Sequence, residues 1–332
     1  MSSEPPGPDR PLDTLAPLAL GVSGTRDDAF APGKGSTCKA PAALAPWLLA
    51  IRPATLTAAV GPVLVGCAVA ARVGGFRLLP ALAALAGALL LQIGANLAND
   101  VDDFERGADT AARLGPTRVT QSGLLPAAHV RAAEWAAFAL AALIGLYLIA
   151  VAGWPIAALG ATAIASAWAY TGGPWPLGYH GLGEVFVFLF FGLAAVVGTA
   201  YVQAGAVPPL AWSAALPVGA LITAILVVNN TRDAATDRAA GKRTLAVRWG
   251  TAATRAQYVL LLGLAYAVPA LLWARGAASA WALLPWLTLP LALRLARRMT
   301  RAADGASFNA LLAATAKLQL AFAVLFAVGL LA

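Results

Sequence analysis

The chain has 332 residues, 60% of them hydrophobic and only 11% charged, with a mean hydropathy of +0.75. A water-soluble domain of this length cannot enclose that much apolar surface, so the composition places the chain in a lipid bilayer. The net charge of +8 is distributed by membrane side and not along a groove, which excludes nucleic acid as a partner.

Residues 1–41 are rich in Pro, Gly, Ser and Asp, with one brief apolar patch at 15–22, and predict a disordered cytoplasmic tail. No charged start leads into an apolar core and a small-residue cleavage site, so a signal peptide is not expected. The domain proper is 42–332. Nine predominantly apolar stretches, 44–71, 78–101, 128–152, 155–170, 181–204, 208–232, 251–274, 278–298 and 307–331, predict nine transmembrane helices. Under that reading 18 of the 23 Lys and Arg fall on one side of the membrane. By the positive-inside rule that side is cytoplasmic and holds the N-terminus.

The first predicted helix carries Arg52-Pro53, a cation that either snorkels to the headgroups or meets an anionic ligand. The second runs into a knot of carboxylates. Asn96, Asp100 and Asp103 follow one another at i+4 and i+3, so on a helix they share one face. A similar set, Asn229, Asp233 and Asp237, closes the sixth predicted helix at i+4 and i+4. Each Asp at the centre of a membrane helix costs roughly 2.5 to 3.5 kcal/mol, and four would oppose insertion by about 10 kcal/mol. Both sets are therefore expected near helix ends on the cytoplasmic side. Carboxylate and amide oxygens held this way are hard ligands suited to Mg²⁺, and two such clusters face to face would clamp a diphosphate.

The loop 102–126 carries Asp109, Arg113, Arg118 and Gln121 around Gly115-Pro116, and is expected to act as a lid bringing cations to a phosphate group. The stretch 170–184, YTGGPWPLGYHGLGE, is expected to fold back into the protein. In it Glu184 reads as a helix cap or a dipole partner, and His180 as a structural residue or a proton acceptor. Phe186, Phe188, Phe190 and Phe191 face either lipid or an isoprenoid tunnel. Lys242 and Arg243 follow the second acidic set. Lys317, deep in the last span, must snorkel or find a partner. Cys38 and Cys67 show no ligand or redox spacing. Alone, each acidic set also fits a solvated helix end; a transporter would place such carboxylates nearer the midplane.

NDVDDFERGAD at 99–109 and DAATD at 233–237 resemble the two aspartate-rich motifs of the UbiA-type intramembrane prenyltransferases. RPATL at 52–56, RLGPTRVTQSGLL at 113–125 and YTGGPWPLGYHGLGEVFVFLFFG at 170–192 resemble the branch that prenylates 1,4-dihydroxy-2-naphthoate. The resemblance covers about 44–331. It implies an all-α bundle of nine membrane helices around a central cavity capped by cytoplasmic loops, in the bacterial inner membrane. It implies Mg²⁺-dependent transfer of a polyprenyl chain from polyprenyl diphosphate to 1,4-dihydroxy-2-naphthoate, with loss of diphosphate and CO2, giving demethylmenaquinone. Matched residue by residue, Asn96, Asp100 and Asp103 form the first metal side, and Asn229, Asp233 and Asp237 the second. Arg118 and Lys242, backed by Arg52 and Arg243, are the cations for the diphosphate, and Tyr170 is a substrate-binding residue. Asp103 or Asp109 is the candidate proton acceptor. The position four residues after Asp103, Asp in many members, is Gly107, and Asp109 stands two further on. Tyr170-Thr171 is followed by Gly-Gly-Pro where the hydroxybenzoate branch has basic residues, which argues against that acceptor. A phytyl donor or a homogentisate acceptor is the alternative within the family.

Overall fold

The computed structural model describes residues 44–109 and 113–332; the expected tail over 1–41, with Cys38, lies outside the described residues. Every regular element among the described residues is helical. Six helices are long and apolar enough to cross a membrane: α3 (Leu78–Glu105), α4 (Ala127–Ala152), the composite Gly183–Ala204, α8 (Pro209–Ala239), α9 (Leu245–Ala274) and α11 (Gly305–Leu331). A seventh span forms if α1 (Leu44–Ile51) and α2 (Thr57–Arg72), bent by 47°, count as one. The remaining two of the nine expected spans are helical but fall short of that criterion. One is α5 (Trp154–Ala169), of 16 residues. The other is a 3₁₀ segment, Ala280–Thr288, leading into the strongly basic α10 (Leu289–Arg301). Pro285 and Pro290 each lack the N–H an α-helix needs, which breaks the regular ladder there.

The bend between α1 and α2 falls where the Arg-Pro pair predicts a break, because a residue before proline is disfavoured in the α region. Arg52 takes φ 54°, ψ 69°, the only positive φ at a described non-glycine residue. Such a conformation costs about 1–3 kcal/mol and persists only where its surroundings enforce it. Here it turns the guanidinium toward Asp100, 3.6 Å away.

The composite span consists of α6 (Gly183–Val187), a π-helical segment Phe188–Ala194 and α7 (Ala195–Ala204). Its π segment lies against α8, the most enclosed of the long helices. Close approach is set by a glycine pair: a Cβ on Gly192 would sit 2.7 Å from the Gly219 backbone. Backbone cannot yield as a flexible side chain does, so Gly192→Ala is expected to destabilise the protein by about 1–3 kcal/mol. A lowered thermal midpoint in detergent checks this; an unchanged midpoint contradicts it.

α3 and α8 both outrun their apolar stretches, ending at Glu105 and Ala239 where the sequence places spans ending at 101 and 232. The extra turns carry Asp103, Asp233 and Asp237 beyond the apolar run while keeping them on helix. Residues 106–109 and 113–126, the loop 170–182 and the turn after α8 lie at this end of the bundle.

Candidate active site

A cavity of about 650 Å³ runs between the helices. Most of its wall is apolar, from residues such as Ala84, Leu91, Ile164, Phe186 and Phe190. Phe186, Phe190 and Phe191 thus face the cavity, while Phe188 packs on Gly219. At one end the wall turns polar: α3 supplies Asn96 and Asp103, α8 supplies Asn229, Asp233 and Asp237, and Arg52, Arg118, Tyr170 and Lys242 complete it. The two acidic sets, about 130 residues apart in sequence, therefore open onto one space.

Lys242 closes the gap between them. It follows α8, and its Nζ donates to Asp103 Oδ1 on α3 at 2.9 Å. Asp103 also accepts from Tyr179 Oη at 2.8 Å and from Arg118 at 3.4 Å. Burial and the neighbouring Asp103 charge push the Tyr179 hydroxyl well above the usual phenol range, so it stays a donor. The Lys242 ammonium also lies over the Tyr179 ring, 4.7 Å from its centroid. Tyr179 was not among the residues singled out in sequence. It arrives on a short 3₁₀ turn, Leu177–His180, in a Gly- and Pro-rich loop whose reach no periodicity reports.

Asp233 is held by its own neighbour. Arg232 makes a two-pronged bond to it at 2.7 and 2.6 Å, and also donates to Asn229 Oδ1 and Asn309 Oδ1. With its side chain 1% exposed, Arg232 is a buried charge whose donors fix Asp233 and Asn229 in place. Asp237 makes no side-chain hydrogen bond or ion pair among the described residues and faces the cavity. Asn96 donates to the Ile51 carbonyl and Thr55 Oγ1, tying α3 to the bent first span.

Asp100 and Asp109 are close to this group but not on the cavity wall. Asp100 accepts the backbone N–H groups of Val119 and Thr120, so it fastens this part of the chain to α3. Asp109 pairs with Arg113 and with Arg118, 3.2 Å away. Arg113 and Arg118 both line the cavity. Arg243 is exposed and stands outside it. His180 stacks on Trp175 and contacts the Pro176 carbonyl, a structural role. Glu184 makes no cap hydrogen bond but stands in the first turn of α6, where a carboxylate favours the helix dipole; it is 4% exposed and accepts from Asn230 Nδ2.

Burial pushes the Asp109 carboxyl up to about 6, partly offset by Arg113. Its raised value means the folded state holds the proton more tightly, so this contribution to stability is full below about pH 4 and lost as pH rises through 6. Ionised Asp109 also competes with an anionic ligand for Arg113 and Arg118. The ratio of the parent's donor KM to that of Asp109→Asn is therefore expected to approach one below pH 6 and rise above it; a ratio constant with pH contradicts this.

Among the described residues no three His, Cys, Asp or Glu side chains converge as a metal cage. The donor set still fits Mg²⁺, which takes one or two carboxylates and completes its shell with water and phosphate oxygens. Asp237 leaves its oxygens uncommitted, and Asp103, Asp233, Asn96 and Asn229 surround the same space.

Membrane-length helices around an apolar cavity with one end lined by carboxylates and cations define an intramembrane enzyme class that takes a lipid by its anionic head. The chain belongs to the UbiA prenyltransferase family, whose model matches residues 59–320. It is 44% identical over 255 residues to the 1,4-dihydroxy-2-naphthoate octaprenyltransferase of Mycobacterium tuberculosis, covering 77% of this chain and 86% of that one. Against the Escherichia coli protein of the same name, identity is 38% over 290 residues, covering 86% and 94%. A solved UbiA homolog from Archaeoglobus fulgidus bound to DMAPP and Mg²⁺ shares the fold, with TM-score 0.55, 14% identity and coverage of 83% of this chain and 98% of that one.

Proposed function

We propose that this chain transfers a polyprenyl group from polyprenyl diphosphate to 1,4-dihydroxy-2-naphthoate, with Mg²⁺, at the cytoplasmic side of the bacterial inner membrane. The naphthoate assignment is supported by the identity to octaprenyltransferases of that name over most of the chain. The observation that carries the mechanism is the Lys242–Asp103 contact, which puts both acidic sets at the head of one apolar cavity.

The diphosphate lies at the polar end, where Arg118, Lys242, Arg113 and Arg52 supply positive charge, and the prenyl tail runs along the apolar wall. Asp237, Asp233 and Asp103 with the oxygens of Asn96 and Asn229 would hold Mg²⁺, which when bound would supply charge neutralisation for the departing diphosphate. The allylic C–O bond breaks with its electron pair going to diphosphate. The ring carbon bearing the carboxylate forms the new C–C bond, and loss of CO2 returns an electron pair to the ring. The product is a prenylated naphthoquinol, the reduced form of demethylmenaquinone, and no net proton is removed. The apolar wall keeps water from the electron-poor allylic carbon. Asp103, ringed by Tyr179, Lys242 and Arg118, orients the cations; Asp100 and Asp109 hold the lid that carries Arg118.

The nine-span reading is retained in this proposal. Ala280–Thr288 with the apolar start of α10, as far as Leu293, reaches about 25 Å at 3₁₀ and α rises, and Arg294, Arg297, Arg298 and Arg301 follow it at the cytoplasmic headgroups. Given 1,4-dihydroxy-2-naphthoate, Mg²⁺ and prenyl donors of several lengths, the purified protein is expected to form a product whose mass shows the carboxyl group replaced by the prenyl group. A product that keeps the carboxylate, or turnover only with another acceptor, overturns the assignment.

A further inference from the structure

Glu184 and Asn230 form a buried pair that the diphosphate chemistry does not use. Glu184, at the start of α6, is 4% exposed, and Asn230, on α8, is 7% exposed. Asn230 Nδ2 donates to Glu184 Oε1 at 2.9 Å. A carboxylate oxygen accepts and does not donate, so the pair selects one orientation of the carboxamide, and Oδ1 is the end left over. Asn230 lines the cavity, and its Oδ1 has no hydrogen-bond partner among the described residues. Tyr170 lines the same wall. Its hydroxyl approaches Gly183 so closely that a Cβ there would lie 2.7 Å away, which brings the phenol next to Glu184.

Beyond the place of Glu184 in the first turn of α6, the fold gains little from this pairing. Glu184 caps no helix end, and its Oε2 is buried without a hydrogen-bond partner. An unsatisfied buried acceptor costs about 1–3 kcal/mol, so an apolar residue would serve packing better. What the carboxylate does supply is a fixed amide, with one free acceptor facing a mostly apolar space beside the diphosphate end.

We infer that Glu184 is a positioning residue: it locks the Asn230 carboxamide so that Oδ1 accepts a hydrogen bond from a hydroxyl of the aromatic acceptor. The inference rests on the proposed reading of that acceptor as a dihydroxynaphthoate, whose two hydroxyls are donors. It divides the cavity's polar end into a donor half, around Lys242 and Arg118, and an acceptor half, around Asn230 and Tyr170.

The test is steady-state kinetics of the full chain in detergent, varying each substrate separately. Glu184→Ala and Asn230→Ala are each expected to raise the KM for 1,4-dihydroxy-2-naphthoate by about tenfold or more, leaving the KM for prenyl diphosphate unchanged. Glu184→Gln keeps an oxygen that accepts from Asn230 Nδ2, and is expected to restore most of the acceptor affinity. The double variant Glu184→Ala/Asn230→Ala should be no worse than Asn230→Ala alone. Equal shifts in both KM values, additive losses in the double variant, or a Gln variant as impaired as the Ala variant would overturn the inference. Should Glu184→Ala not fold, the Asn230→Ala and Glu184→Gln results decide by the same criteria. A parent protein that does not prenylate the naphthoate overturns the functional reading and this inference together, whereas an active parent with unshifted variants overturns only the inference.

Discussion

Asp237→Ala is expected to lower turnover by at least about a hundredfold, the scale of removing one preorganised electrostatic group from a reaction centre, while the thermal midpoint in detergent stays at the parent value. The separation follows from geometry. Asp237 faces the cavity, yet its side chain takes no hydrogen bond or ion pair from any described residue. Removing it strands no buried partner, so stability has nothing to lose. On the proposed mechanism, activity loses an oxygen donor for Mg²⁺ at the point where charge grows on the leaving diphosphate. Measured kcat beside a melting curve of the same preparation checks both halves; retained turnover, or loss of activity only through unfolding, contradicts the assignment.

Asp103→Ala is expected to fail in both respects. Asp103 is 2% exposed and meets Lys242, Arg118 and Tyr179 from three separate segments. Removing one partner of a buried ion pair costs about 3–5 kcal/mol because the other charge is left uncompensated. Asp103→Asn keeps an oxygen for the Tyr179 hydroxyl but not the charge, so it should melt above the Ala variant and be equally inactive. If the Asn variant retains parent turnover, the Asp103 charge has no part in catalysis.

How far the sequence foretells this site depends on which residues are on regular helix. The i+4 and i+3 spacing of Asn96, Asp100 and Asp103 places them along one side of α3, and all three are buried. Asn229, Asp233 and Asp237 share the cavity wall from α8 in the same way, Asp233 buried and the other two half-buried. What a helical repeat cannot report is which partner each carboxylate takes. Asp100 turns to loop amides, and Asp233 is claimed by Arg232, an adjacent residue that helical spacing would set on a different face. The long guanidinium stem lets Arg232 fold back where a shorter side chain would not reach.

Loop contributions were legible only as composition. The Gly- and Pro-rich stretch 170–184 is readable as a segment that folds inward, but not as the source of Tyr179 beneath Lys242. Span boundaries erred where helix continues past the apolar run, as in α3 and α8. The eighth stretch, 278–298, has the hydropathy of a span, yet its prolines divide it into 3₁₀ and α segments. Hydropathy averages over a window and does not register a missing N–H.

The central claim is that the acidic ends of α3 and α8 act on one diphosphate. A double-mutant cycle on donor affinity, comparing Asp103→Asn, Asp237→Asn and the pair against the parent, tests it most directly. Sharing one ligand predicts clear non-additivity, with the second substitution costing far less once the first is present. Strict additivity, with each substitution exerting its full effect regardless of the other, would contradict it.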